Sequence, residues 1–415
     1  MATVRSLLFL VILAAPSLAI AADATDWPQW RGPNRDGVIA GPKWPERLTD
    51  ANFRQQWRVE LGPSYSGPIV VGNRVFTTET VKAKTEIVRA YDRQTGAELW
   101  KAEWEGSLSV PFFAWANGSW IRATPACDEK HLFVAGMRDV LVALNVEDGK
   151  EAWRIDFAAQ LKAPLPAFGF VSSPLLVGEH LYVQAGGAFC KVEKATGKIV
   201  WSVLKDGGGM YGSAFSSPVL ASLQGKPQIL VQTRQKLAGI DPENGGELWS
   251  QEIEATRGMN ILTPTLWKES IFTSAHGGRS HFFQITKQGD KFTASEAWDN
   301  KLQAYMSSPI VIDGHAYLHL KSQRFACLDL TTGRETWTSV PFGSYWSMVA
   351  QGDRILALDE RGELRLIHAN PAKLEILDTR KVSDNSWGHL AVSGDQVFVR
   401  ELKALAAYQW NELKK

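Results

Sequence analysis

The sequence predicts an all-β fold, an eight-bladed β-propeller of four-stranded antiparallel blades whose ring is closed by a strand from the N-terminal side. Three observations predict it. Five segments repeat one spacing of an acidic or amide residue, then Gly four on, then Trp four further on. A second β-rich hairpin precedes each of them. Finally, one Trp-bearing strand near residue 57 has no hairpin ahead of it, while the last hairpin of the chain has no Trp strand behind it.

The five copies are Asp92, Gly96, Trp100; Asn145, Gly149, Trp153; Glu193, Gly197, Trp201; Asp241, Gly245, Trp249; and Asp329, Gly333, Trp337. Chance at this composition predicts roughly 0.2 such matches, so the spacing is a repeat. Thr, Asp or Asn precedes each Gly, which is turn chemistry with Gly free to take positive φ. The upstream hairpins are clearest in residues 68–76, 174–182 and 309–317, with weaker versions starting near Pro125, Pro218, Pro264, Ser347 and His389. Four strands per unit at a spacing of roughly 40–50 residues describe propeller blades, and no linker divides the chain into stacked sandwiches. Blade five carries extra residues between Gly289 and Trp298, and blade seven has Leu377 where Trp is expected. Residues 55–59, with Trp57, are expected to supply the outer strand of the last blade, which removes the open sheet edges.

Composition narrows the function. The chain has 415 residues, 17 of them Trp, and a formal charge of +1, so it lacks the bulk positive field that holds a nucleic-acid backbone. Arg5, the apolar residues 7–15 and the small residues Ala19 and Ala21 read as a signal peptide over residues 1–21. No Cys stands near that cleavage site, so a lipoprotein is not expected. The mature chain is expected to be periplasmic or secreted, with no membrane span and a monomeric state. Residues 22–51 read as an irregular N-terminal strap and residues 52–415 as the propeller. Cys127, Cys190 and Cys327 are expected to be buried, unpaired thiols.

The Asp92-Thr95-Gly96-Trp100 and Asp329-Thr332-Gly333-Trp337 patterns resemble the tryptophan-docking repeat of the quinoprotein-type, PQQ-like β-propellers. The resemblance extends from about residue 52 to about residue 410, and the Trp27-Pro28-Gln29-Trp30-Arg31-Gly32-Pro33 segment is similar to the start of many secreted members. It implies that each repeat Trp stacks in the seam between neighbouring blades. It also opens two functional readings. One is a PQQ- and calcium-dependent dehydrogenase. That site needs hard oxygen ligands and a carboxylate base, for which Glu79, Asp359 and Glu360 are the available residues. The vicinal cysteines that many such enzymes carry are missing here. The other is a non-catalytic protein-binding scaffold, by analogy with the outer-membrane assembly factor BamB. A soluble glycan or small-ligand binder is the third reading.

Blade topology places the inter-blade links and each blade's second turn on one face. The links carry Phe112, Phe113, Trp115, Trp120, Phe168, Tyr211, Tyr305, Tyr345, Trp346 and Trp387 in Gly-rich settings, which suggests an aromatic recognition rim. The second turns carry Glu79, Arg138, Arg234, His276, Arg279, Lys321, Arg324, Glu360 and Arg400, expected as a mainly cationic ring near the axis. A protein or peptide partner, or an anionic ligand, would suit such a face. No nucleophilic triad is readable. His276 and His281 form only a weak metal-like pair, with no third ligand at recognisable spacing.

Overall fold

The computed structural model describes residues 26–41, 43–106, 108–206 and 214–410. The expected signal peptide and Tyr211 lie outside the described residues. Eight four-stranded antiparallel sheets make up the chain, as the repeat predicts. Their innermost strands, blades 1 to 8 in order, are Ile69–Val71, Ala126–Cys127, Leu175–Val177, Val219–Leu223, Thr265–Trp267, Ile310–Ile312, Trp346–Gln351 and Ala391–Ser393. Blade 1 continues outward through Arg74–Val81, Thr85–Asp92 and Glu98–Glu105. Burial falls along that path. The middle strands are mostly buried, their Thr and Glu side chains included, while Glu98–Glu105 alternates and half faces solvent.

The repeated turn has one construction. In blade 1 the Gly96 N–H donates to the Asp92 carbonyl (2.9 Å), and Asp92 Oδ1 accepts from the Thr95 N–H (2.8 Å) and the Thr95 hydroxyl (2.8 Å). Gly96 has φ of 70°, and a Cβ there would meet the Trp57 ring at 2.7 Å. The same close approach recurs for Gly149 under Trp100, Gly197 under Trp153, Gly245 under Trp201 and Gly333 under Trp298. Each Trp thus comes from the preceding blade and lies flat on the glycine of the next. Most of these indoles also donate across the seam, as Trp57 does to the Arg93 carbonyl (2.9 Å) and Trp100 to the Val146 carbonyl (2.8 Å). The glycine is required twice, by backbone sign and by ring contact.

Three seams differ: Trp337 of blade 6 donates to the Asn370 carbonyl of blade 7 (2.9 Å), in a turn without Gly, and the other two have visible reasons. Blade 5 has no Gly turn of this type, and Trp249 instead donates to Gln228 Oε1 (2.7 Å) within its own blade. Leu377 faces blade 8, which has no such turn because the two chain ends meet there. Residues 44–53 fill that seam: Trp44 stacks on Trp410 at 6.1 Å, Leu48 N–H donates to Asp378 Oδ2 (2.8 Å), and Phe53 stacks on Tyr408 at 4.9 Å.

Ring closure is as expected. Phe53–Glu60 pairs antiparallel with Ala404–Trp410, from Phe53 opposite Trp410 to Glu60 opposite Ala404. Cys127, Cys190 and Cys327 are buried and free.

Residues 26–41 cross the opposite face, the one with the first and third turns. Trp27 and Val70 exchange backbone hydrogen bonds (2.8 and 2.9 Å), and the Ile39 N–H donates to the Ala350 carbonyl (2.9 Å). Between these anchors two buried arginines enter the axis. Arg31 donates to the Ser308 carbonyl (2.8 Å) and the Pro309 carbonyl (2.7 Å). Arg35 donates to the Ser173 carbonyl (3.0 Å) and the Pro174 carbonyl (2.6 Å). One short segment thereby ties blades 1, 3, 6 and 7 together and closes one end of the channel.

Candidate functional site

The closed channel is a cup that opens on the face of the inter-blade links, with about 1080 Å³ of space continuous with solvent. Its wall comes from the residue that enters each innermost strand. Thr124, Ser173, Ser217, Thr263 and Ser308 each precede a proline, and Ser347 holds the equivalent place in blade 7. Proline keeps the preceding residue extended, which aims these short side chains alike. Most of them also stitch blades together. The Gly67 N–H donates to Thr124 Oγ1 (3.0 Å), the Thr124 N–H to Ser173 Oγ (3.0 Å) and the Ser173 N–H to Ser217 Oγ (2.9 Å). The Leu390 N–H likewise donates to Ser347 Oγ (2.8 Å).

The floor is Trp30, whose ring meets His389 edge-on at 5.2 Å. Burial, with the nearby Arg31 charge adding to it, pushes His389 down to about 3, so its imidazole is neutral at physiological pH. One cation lines the cup. Arg122 lies over the Tyr65 ring at 5.0 Å and donates from Nη2 to the Gly118 carbonyl (2.8 Å), while its buried Nε has no partner. Desolvation lowers it to about 10, which leaves it charged.

The mouth is a chain of rings. Trp120 meets Tyr65 (5.2 Å), Tyr65 meets Trp387 (5.0 Å), Trp387 meets Tyr345 (3.9 Å), Tyr345 meets Tyr305 (5.8 Å) and Tyr305 meets His276 (5.0 Å). Across the opening, Phe113, Phe168 and Phe215 form a second run with spacings of 6.2 and 5.5 Å. The second run starts on the short helical turn Phe112–Asn117, with Phe112 77% exposed and Trp115 67% exposed.

Two expectations need correction. Trp346 does not stand free on the rim. It is 3% exposed and packed against Phe325 (4.9 Å), Phe342 (5.2 Å) and His319 (5.2 Å), with only an edge toward the cup. Nor do the charged second turns ring the axis. The first strand is innermost and the second turn joins the second and third strands, so it lies farther out by one strand spacing, about 4.8 Å, or more. Accordingly Arg138 and Lys321 are exposed outside the cup, Arg234 pairs with Asp206 (2.8 Å), and Arg279 pairs with Asp299. Arg400 is fully buried and donates to the Gly62 carbonyl (2.7 Å) and the Thr78 carbonyl (3.0 Å).

Sequence reasoning missed the hydroxyl ring, Arg122 and the Trp30 floor. The recurring Ser-Pro and Thr-Pro dipeptides, at Thr124, Ser173, Ser217, Thr263 and Ser308, were the signal for the first.

The residues present do not fit a calcium–quinone centre. No carboxylate or side-chain amide is among the described residues lining the cup. Glu79 is held by Arg89 Nε (2.6 Å) and Asp359 by Arg365 Nη1 (2.7 Å), while Glu360 accepts from the Ser344 N–H (2.8 Å). Calcium takes six or more oxygen ligands, many of them carboxylate, and those carboxylates are already spent on structure in separate places. Among the described residues no cluster of three His, Cys, Asp or Glu could hold a metal. His281 bonds Glu296 (2.6 Å) and His276 lies tilted against Tyr305 (5.0 Å), so the two histidines do not converge.

Beneath the exposed helical turn lies a buried carboxylate. Glu86 accepts from the Met137 N–H (2.7 Å) and from Trp104 Nε1 (2.6 Å), and Met137 packs with Val110 and Ala114 of the turn. Burial raises Glu86 from an ordinary 4.5 to about 7 despite both hydrogen bonds. Between those values the unfolded chain releases a proton that the folded chain keeps. Stability from this group is therefore lost as pH rises from 4.5 to 7 and is level above. In Glu86→Gln that slope disappears. Relative to wild type, the variant should gain on the order of 3 kcal/mol between pH 4.5 and 8, at roughly 1.4 kcal/mol per unit. Denaturant titrations at several pH values measure the difference, and parallel curves for the two proteins would refute the assignment.

Residues 83–339 match the family described as outer membrane protein assembly factor BamB. The chain belongs to the BamB family. Outer membrane protein assembly factor BamB of Shewanella oneidensis is 26% identical over 285 residues, covering 66% of this chain and 63% of that protein, so the match spans less than two thirds of the relative. The crystal structure of BamB from Moraxella catarrhalis superposes with a TM-score of 0.61 at 13% identity, covering 88% of this chain and 99% of that one. A europium-containing methanol dehydrogenase superposes at 0.54 and 11% identity, covering 93% of this chain and 98% of that one. At such identities the two structures establish the shared propeller alone. No helix among the described residues is long and apolar enough to cross a membrane.

Proposed function

We propose that this protein is an exported, monomeric, non-catalytic scaffold that holds a protein partner on its aromatic face and serves outer-membrane protein assembly, as the name of its family describes. Export follows from the signal-like residues 1–21, and the periplasm is the compartment that the role requires. One observation carries the partner reading: Phe112, Phe113 and Trp115 stand 77%, 48% and 67% exposed on one short turn beside the cup mouth. Large apolar side chains gathered at a rim cost solvation unless something covers them, and such patches mark interaction surfaces. The turn is also rigidly seated. Trp115 Nε1 donates to the Val110 carbonyl (3.0 Å), and the Arg257 guanidinium lies over Phe113 at 5.2 Å.

The test is complementation in a strain that lacks the gene. Wild-type chain should restore outer-membrane β-barrel protein levels. The Phe112→Ser, Phe113→Ser, Trp115→Ser triple variant should fold with an unchanged melting temperature and fail to restore them. Unchanged β-barrel levels in the deletion strain would overturn the assembly role, and full complementation by the triple variant would remove this patch from it.

A further inference from the structure

We infer that the axial cup binds an acidic sugar, a pyranose that carries a carboxylate. This site is separate from the exposed rim turn, so the inference stands whether or not a protein docks outside.

The wall hydroxyls are the first reason. Thr124, Ser173, Ser217, Ser308 and Ser347 each accept a backbone N–H from a neighbouring blade, which occupies oxygen lone pairs and leaves the O–H to donate. Thr263 Oγ1 has no partner at all. That oxygen is shut off from the cup, so the hydroxyl donors that remain are those of Thr124, Ser173, Ser217, Ser308 and Ser347, from five blades, and no carboxylate or amide among the described lining residues answers them. A ligand that displaces water from these donors must supply acceptors in its place, so the complementary ligand is rich in oxygen acceptors.

Charge is the second reason. Arg122 is the cation among the described lining residues, and Arg31 and Arg35 add positive charge just beneath the floor. A single carboxylate matches one guanidinium.

Shape is the third. The donors come from residues of separate blades arranged around the axis, which suits a ligand with oxygens on several sides rather than one small inorganic anion. Trp30, Tyr65, Tyr345 and Trp387 present ring faces and edges on which the C–H face of a pyranose packs. An aromatic acid would satisfy Arg122 and the rings but would leave the hydroxyl donors unpaired.

Titration of the mature chain with D-glucuronate, D-glucose and benzoate, followed by calorimetry and by tryptophan fluorescence, tests the site. Glucuronate should bind saturably at one site per chain. Its affinity should exceed that of glucose and of benzoate by at least about tenfold, the size expected for one charged hydrogen bond or several neutral ones. Arg122→Gln, at an unchanged melting temperature, should bring glucuronate down to the level of glucose. Ser347→Ala, at an unchanged melting temperature, should weaken both sugars and keep the preference between them. No glucuronate binding, benzoate binding as tight as glucuronate, or a preference that survives Arg122→Gln would each overturn the inference. None of these results bears on complementation by the rim variant.

Discussion

A chain that begins at Leu61 is expected not to yield a stable monomer. It lacks Phe53–Glu60, and with it the outer strand of blade 8, the Trp57 ring that lies on Gly96, and the Phe53 stack on Tyr408. The ion pair from Arg58 to Glu401 (2.7 Å) goes too. What remains is the strand Ala404–Trp410, nearly all buried in the intact ring, now an open edge with unpaired N–H and C=O groups. A ring without its closing strand has no substitute for that pairing, so aggregation or strand exchange between copies is the expected outcome. Size-exclusion chromatography and a thermal melt decide it. A monodisperse chain with a cooperative melt within a few degrees of wild type would show that closure is not needed. A companion chain that begins at Lys43 separates the two roles of the N-terminal segment. It keeps the seam filling and the closing strand but loses Trp30, Arg31 and Arg35, so it should remain folded with the cup open at both ends.

Trp100→Ala is expected to cost about 3–5 kcal/mol, the loss typical of a large aromatic removed from a core. Trp100 is 8% exposed, lies on Gly149 of the next blade and donates to the Val146 carbonyl at 2.8 Å. The converse change should hurt as well. A Cβ in Gly149→Ala would meet that ring at 2.5 Å, at a φ of 70° that L residues rarely adopt. Trp201 sharpens the comparison because its buried indole N–H has no partner. Trp201→Phe should therefore cost less than Trp100→Phe, by about 1 kcal/mol for the hydrogen bond. Urea denaturation of the four variants measures these differences. Equal losses for the two Phe substitutions would mean that the seam depends on ring volume alone.

The architecture was legible because a propeller writes its constraints locally. In each turn the Gly N–H bonds the carbonyl of the acidic or amide residue four before it, and the Trp follows at fixed spacing on the adjacent strand. Even the closure could be read, since Trp57 repeats the docking residue without a hairpin of its own. The departures were visible as letters but not as causes. Leu377 reads as a defect until Trp44, Leu48 and Phe53 are found in its seam, contributed by residues more than 300 positions away.

The site was legible in part. Trp120, Tyr305, Tyr345 and Trp387 do meet around the mouth, because all four lie in links that emerge on one face. Trp346 sits one residue from Tyr345 and is buried, since adjacent residues entering a strand point to opposite sides. Arg138, Arg234 and Lys321 share a face with the cup without reaching it.

By itself, then, the sequence determined the blades, their number and the closing strand, since these follow from short-range hydrogen bonding and from one ring on one glycine. Tertiary structure alone decided what surrounds the axis. The cup is assembled from single residues of many blades, together with Trp30, Arg31 and Arg35 from a segment with no regular structure. No local periodicity records how residues separated by a blade or more converge. Their common direction comes from the rotational symmetry of the closed ring.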